Sequence, residues 1–221
     1  AFGQMASPES TPGIQSLKGV MTETFQGLLS DSERMAEAGA DLVLWSEGAV
    51  VLSESEERGH LDRARELARR RGIYLGLGLV VLKGAAPQSG EPFMENKLTL
   101  ICPDGSVAWE YVKANLAPGM ERQWSIPGDG RLRRTNRAAG RITGAICYDM
   151  DFPAYIRQAG AMGADLLLAP SNDWPEIKET HWRMARMRAI ENGVPVLRPS
   201  SSGVSTAMDP YGRILSRVDF F

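Results

Sequence analysis

One phrase occurs twice in this chain, and it constrains the fold more than any other feature. Residues 39–46 read GADLVLWS, and residues 163–171 read GADLLLAPS. The first copy follows a stretch whose apolar positions (Leu17, Val20, Met21, Phe25, Leu28, Leu29, Met35) recur at helical spacing. The second follows an amphipathic stretch near 153–161. Each reads as a helix, a glycine that stops it, and a short buried strand. Two copies of such a unit suggest two similar halves packed together. A common helix-to-strand turn, used twice, would leave the same trace. Both readings give an α/β or mixed sheet with helices outside.

The rest of the chain fits that frame. Residues 1–13 read as an irregular arm rich in Ser, Pro and Gly. The pattern predicts helices over 15–38, 55–71, 153–161 and 176–191. The second of these closes on Arg69-Arg70-Arg71-Gly72, basic charge at a carbonyl end followed by a glycine stop. Strands are predicted over 41–45, 73–82, 140–146, 164–169, 194–198, 203–208 and 213–218. Residues 96–101 and 107–112 form a predicted hairpin around Pro103-Asp104-Gly105. Loops are predicted over 83–94 and 119–130. The 221 residues suit one large domain, 1–221, better than two.

Composition narrows the function. A net charge of −2 leaves no electrostatic footprint for nucleic acid. No apolar run approaches the roughly 18 residues that would span a bilayer, and AFGQMASPES lacks the pattern of a signal peptide. Two cysteines, Cys102 and Cys147, are too few for a disulfide scaffold, though their number leaves one bridge between them open. Two histidines, His60 and His181, give little material for a Cys-His dyad or a metal site, so neither metal nor cofactor is expected. Gly76-Leu77-Gly78 lacks the third glycine and following helix of a dinucleotide site, and reads instead as close strand packing.

Three reactive residues fall at strand ends. Glu47 follows the strand ending at Trp45, Lys113 the strand ending at Val112, and Cys147 the strand ending at Ile146. Ligands of open α/β sheets gather at the carboxyl ends of strands. The three chemistries complement one another. A thiol needs a base or a nearby positive charge to become nucleophilic. A carboxylate can take its proton and return it to a leaving group. An ammonium can stabilise an oxyanion. Backbone N–H groups after the cysteine, starting with Tyr148, would supply a second donor. Singly, each residue has a plainer reading: inert core for a cysteine, solvated surface for a strand-end Glu or Lys.

The local sequences then become specific. Leu44-Trp45-Ser46-Glu47, Tyr111-Val112-Lys113 and Ile146-Cys147-Tyr148-Asp149 resemble, in order and spacing, the Glu-Lys-Cys signature of the nitrilase superfamily. The likeness runs from about residue 22 to residue 217. It implies a four-layer α-β-β-α sandwich, with Glu47 as general base and acid, Lys113 in the oxyanion site and Cys147 forming a thioester. KANLAPGME (113–121), LLLAPSNDWP (166–175), MARMRAIENGVPVLRPSSSG (184–203) and VSTAMDPYGRI (204–214) resemble the apolipoprotein N-acyltransferase branch. That likeness implies Glu121 as a second glutamate holding catalytic residues and substrate. It also implies acyl transfer from phospholipid to the N-terminal amine of a lipoprotein, at the extracytoplasmic face of the inner membrane and in contact with its surface. Ser46, Asp149 and Gly119-Met120-Glu121 depart from the branch pattern, and Cys-Tyr-Asp also suits small-molecule amidases. Those would be cytoplasmic enzymes using water as acceptor and a small amide as donor. A third reading is a catalytically inactive binding domain. Superfamily members commonly pair, which implies a homodimer.

Other residues carry competing readings. In the 118–128 loop, Met120 and Trp124 could contact an acyl chain or tuck into the core. Asn172, Asp173 and Trp174 are substrate-binding candidates, yet capping of the next helix is the commoner role for Asn172 and Asp173. His181 and Trp182 are expected to pack. Arg183, Arg186 and Arg188 are expected to be ion-paired or solvated.

Overall fold

The computed structural model of the protein describes residues 12–84, 90–136 and 140–219. The irregular arm predicted over 1–13 lies outside the described residues, except that Pro12 and Gly13 open the first helix. Elements run α1 (Pro12–Glu37), β1 (Leu42–Leu44), β2 (Val50–Ser53), α2 (Glu54–Arg71), β3 (Tyr74–Leu82), β4 (Met94–Ile101), β5 (Val107–Val112) and α3 (Met120–Trp124). They continue as β6 (Ile142–Gly144), a 3-10 turn η1 (Cys147–Asp151), α4 (Pro153–Ala161), β7 (Leu166–Leu168), β8 (Ser171–Asn172) and α5 (Lys178–Asn192). The chain closes with β9 (Val196–Arg198), β10 (Ser200–Ser201), β11 (Val204–Met208) and β12 (Ile214–Asp219).

The repeated phrase marks two halves with matching topology. In the first sheet, β1 and β2 lie end to end along β3, both parallel to it, and β4 and β5 add antiparallel strands. In the second sheet, β7 runs parallel to β9, and β11 and β12 add antiparallel strands. The short strand β8 pairs in parallel with β10, so it extends β7 as β2 extends β1. The second half adds β6 on the outer side of β7.

The two sheets face one another. Leu98, Leu100 and Trp109 of the first share one core cluster with Ile142, Leu167, Leu168 and Val196 of the second, together with Ile156 of α4 and Ala185 of α5. A second cluster joins Phe25 of α1 and Ala64, Leu67 and Ala68 of α2 to Val43, Leu75 and Leu77. The order is therefore helix, sheet, sheet, helix: a four-layer α-β-β-α sandwich. Face-to-face sheets need small residues at the tightest points. A Cβ on Gly144 would sit 2.6 Å from a Leu98 methyl and 2.7 Å from the Trp109 ring.

Local chemistry explains the helix ends. Ser53 and Glu56 form a capping box at the start of α2, and Gly72 closes it at φ 68° with Arg69, Arg70 and Arg71 in the last turn. Five features of the structure differ from the sequence reading. β2, β8 and β10 are too short to show a period, so their residues read as loop. The predicted 119–130 loop contains the five-residue helix α3. The single Cys102–Cys147 bridge left open by the sequence is not formed: both thiols are free and buried.

Candidate active site

The break between β1 and β2 holds Glu47. The chain leaves β1, passes Trp45 and Ser46, turns at Gly48 (φ 57°) and re-enters β2. Ser46 crosses so close to β3 that a Cβ on Gly78 would stand 2.0 Å from its carbonyl oxygen. Gly128 does the same beneath the other charged residue: its Cβ would lie 2.0 Å from the Val112 carbonyl oxygen. The Gly128 N–H donates to Lys113 O at 2.9 Å. Bare backbone thus lets two loops press onto the sheet and aim Glu47 and Lys113 inward.

Glu47 and Lys113 meet directly, both nearly sealed from solvent at 7% and 1% exposure. Lys113 Nζ donates to Glu47 Oε1 at 2.8 Å and to Glu121 Oε2 at 2.8 Å. Burial works against this ammonium, but Glu47, Cys147 and Glu121 overcome it and hold its pKa above the usual lysine value. Asn96 of β4 was not singled out from sequence. Its Nδ2 donates to Glu47 Oε1 at 2.7 Å and to Glu121 Oε1 at 2.9 Å, tying the two carboxylates together. Its strand also carries Glu95, Lys97 and Thr99, so the amide gave no distinct signal. Glu121 also accepts from the Ala117 N–H at 2.7 Å, so it organises its own loop.

Cys147 opens η1 with φ 47°, a left-handed conformation that a non-glycine residue adopts at a cost of about 1–3 kcal/mol. Two groups hold it there. Its N–H donates to Pro170 O at 2.9 Å. Two residues on, buried Asp149 accepts from the Ile146 N–H at 2.9 Å, Tyr111 Oη at 2.6 Å, and the Asn115 N–H and Nδ2 at 2.8 and 2.9 Å. Burial raises the Asp149 pKa despite those bonds. Burial and the Glu47 carboxylate likewise push the Cys147 thiol up, while His181 and Lys113 pull it down.

His181 corrects the sequence reading. It is buried as expected, but beside the sulfur rather than in hydrocarbon. Its Nδ1 lies 2.7 Å from Asp173 Oδ1 and its Nε2 3.1 Å from Asp151 Oδ1. Burial disfavours its charge, yet the nearby Asp151 carboxylate, the bond to Asp173 and proximity to Cys147 push its pKa up to about 11. Asp173 is likewise not a helix cap, since Ile177 occupies the cap position of α5. Its two oxygens accept from Arg198 Nη2 at 2.9 and 2.8 Å. Sequence reading missed this because the partners are scattered over α5 and β9. Ligand atoms of Cys147, Asp173 and His181 lie within 4.8 Å of one another. With Asp173 already engaged by Arg198 and His181, a cation there would have to break an ion pair.

The remaining candidates sit at the rim or outside it. Tyr148 packs edge-on against Phe152 with ring centroids 5.2 Å apart. Met120 (57% exposed) and Trp174 (50% exposed) face solvent, and Asn172 is exposed. Trp124 is half-buried and packs edge-on against Phe93 with ring centroids 5.7 Å apart. Arg183 and Arg188 pair with Glu179 and Glu191, and Arg186 donates to Gly212 O, as expected of them.

A buried Glu-Lys-Cys set at the seam of an α-β-β-α sandwich defines a thiol enzyme of the nitrilase superfamily. The carbon-nitrogen hydrolase family model matches residues 3–221, and the chain belongs to that family. Among curated relatives, it is 29% identical over 208 residues to an apolipoprotein N-acyltransferase of Shewanella oneidensis and 32% identical over 205 residues to one of Pseudomonas syringae. These matches cover 82% of this chain but only 40% and 39% of those proteins, so the chain spans about two fifths of their length. It is also 30% identical over 192 residues to a mouse deaminated glutathione amidase, covering 76% of this chain and 58% of that one. An amidase structure from Nesterenkonia sp. superposes with a TM-score of 0.77 at 24% identity, covering 90% of this chain and 81% of that one, which establishes the shared fold.

Proposed function

We propose that the protein is a thioester-forming acyltransferase that moves an acyl group from a lipid-like donor to an amine, in the manner of the apolipoprotein N-acyltransferases. The observation that carries the chemistry is the buried Lys113 ammonium held 2.8 Å from both Glu47 and Glu121. Cys147 Sγ attacks the donor carbonyl while Glu47 takes the thiol proton. The carbonyl electron pair moves onto oxygen, facing Lys113 and the Tyr148 N–H. Collapse breaks the bond to the leaving group, which receives the proton from Glu47 and departs. The acceptor amine then attacks the thioester, Glu47 takes its proton and hands it to the departing sulfur, and the amide and the free thiol result.

Preference for an apolar acyl group rests on the rim. Three large apolar side chains, Met120, Phe152 and Trp174, are exposed, and each is the chain neighbour of an acid in the site: Glu121, Asp151 and Asp173. Exposed apolar side chains next to a polar centre would suit an apolar acyl chain at a binding mouth. Such a mouth would serve a donor drawn from a membrane surface, at the extracytoplasmic face of the inner membrane. Among the described residues, no helix is long and apolar enough to cross a membrane. A second reading, hydrolysis of a small amide with water as acceptor, draws on the mouse amidase, more of whose length is covered.

Intact-mass spectrometry after incubation with phospholipid, and separately with short amides, tests both. A fatty-acyl adduct on Cys147, lost in Cys147→Ala, is expected. Amide turnover without a fatty adduct would move the protein to the amidases. Neither adduct nor turnover would leave a binding role.

A further inference from the structure

Two sealed atoms in this site face one another without an aligned hydrogen bond. His181 Nε2 and Asp151 Oδ1 are 3.1 Å apart, and each is left without a properly directed partner. The other ring nitrogen is committed to Asp173, which Arg198 holds through both carboxylate oxygens. His181 is 4% exposed, and its imidazole, the Asp173 carboxylate and the Cys147 sulfur lie within 4.8 Å of one another. The Glu-Lys-Cys chemistry gives this imidazole no task.

We propose that His181 is a further catalytic residue, an imidazolium aimed by Asp173 that donates to the Cys147 sulfur and steadies the thiolate as Glu47 removes its proton. A buried thiolate needs positive charge nearby. Lys113 is one source, but two carboxylates already share it. The groups facing the sulfur and the ring are Glu47, Lys113, Asp151 and Asp173, with Arg198 behind Asp173 and Arg188 of α5 donating to Met150 O. The imidazole therefore has a carboxylate beside each of its ring nitrogens and the sulfur close by, and that placement favours its charged form. During attack the S–H bond breaks, its proton passes to Glu47, and the S–C bond forms. His181 keeps its own proton throughout and returns to its starting state when the sulfur leaves.

The inference rests on Cys147 being the nucleophile, so its test reads the sulfur rather than turnover. Iodoacetamide labelling of Cys147, followed by peptide mass spectrometry to separate it from Cys102, gives a rate–pH profile. In His181→Gln the midpoint should move to higher pH and the rate at neutral pH should fall roughly ten-fold, as one pKa unit requires. An unmoved or lowered midpoint would overturn the proposal. Should that variant fail to fold, the reciprocal measurement uses Cys147→Ala. The His181 ring nitrogens, followed by NMR, should lose their proton at lower pH in Cys147→Ala than in the wild type, because linkage is mutual. Equal midpoints would also overturn it. A normal acyl adduct on Cys147 with no His181 coupling would sink this inference and leave the thioester reading standing. Coupling without any adduct would do the reverse.

Discussion

At the scale of single residues, the site is a set of charges that tolerate burial only together. Glu47, Lys113 and Glu121 form one ion cluster, with Asn96 bridging the two acids. Removing one partner leaves another sealed and unpaired, which is strongly destabilising. Glu47→Gln and Lys113→Ala should each lower turnover by about 10² or more, as the loss of an acid/base or oxyanion group demands. Steady-state rates check this, and a wild-type rate in either variant would remove that residue from the chemistry. His181 gives a pH signature for stability. Its folded pKa, about 11, lies above the unfolded value of about 6.5, so the folded state holds the proton more tightly. The stabilisation it brings is complete below about pH 6.5 and is lost as pH rises toward about 11. Thermal melts should therefore fall more steeply between pH 7 and pH 10 in the wild type than in His181→Gln. Parallel curves would contradict this sign.

At the scale of elements, the decisive devices are interruptions. Glu47 occupies a gap between β1 and β2, and Cys147 the strained turn after β6. Gly78 makes the first gap feasible, because a side chain there would collide with the Ser46 carbonyl. Gly78→Ala is expected to cost about 1–3 kcal/mol through overpacking, measured by denaturant titration. It should lower turnover further than that loss explains, because it displaces the Glu47 loop. A folded variant of full activity would refute the geometric account. These elements also show what the sequence made legible. Long periodic segments such as α2, β3 and α5 could be located to within about three residues, because burial imposes a visible period. The positions of Glu47, Lys113 and Cys147 at strand ends were readable for the same reason. Hidden from sequence were β2, β8 and η1, which are shorter than any period, and two sets of partners: Asn96 with Glu47 and Glu121, and Asp173 with His181 and Arg198. Each set meets only when the chain folds, so no local spacing announces it.

At the scale of the whole molecule, the two GAD-marked halves bring different parts to one seam. Glu47, Asn96, Lys113 and Glu121 belong to the first; Cys147, Asp173, His181 and Arg198 to the second. The sheets meet through Gly144 against Leu98 and Trp109, where no Cβ fits. Gly144→Val should push the sheets apart. The expected readout is lower stability in urea, with labelling of Cys147 becoming faster and losing its pH midpoint. A variant that keeps the native profile would show that the contact does not set the site.

Division of the reactive groups between two similar layers means that reactivity resides in neither layer alone. Each is an inert half of a pair, one bearing proton-handling charge and the other the sulfur. Parting them by even a few ångströms would silence the chemistry while both layers kept their strands and helices. Catalysis here reports on quaternary-like docking within a single chain, as a key turns only when both plates of a lock are aligned.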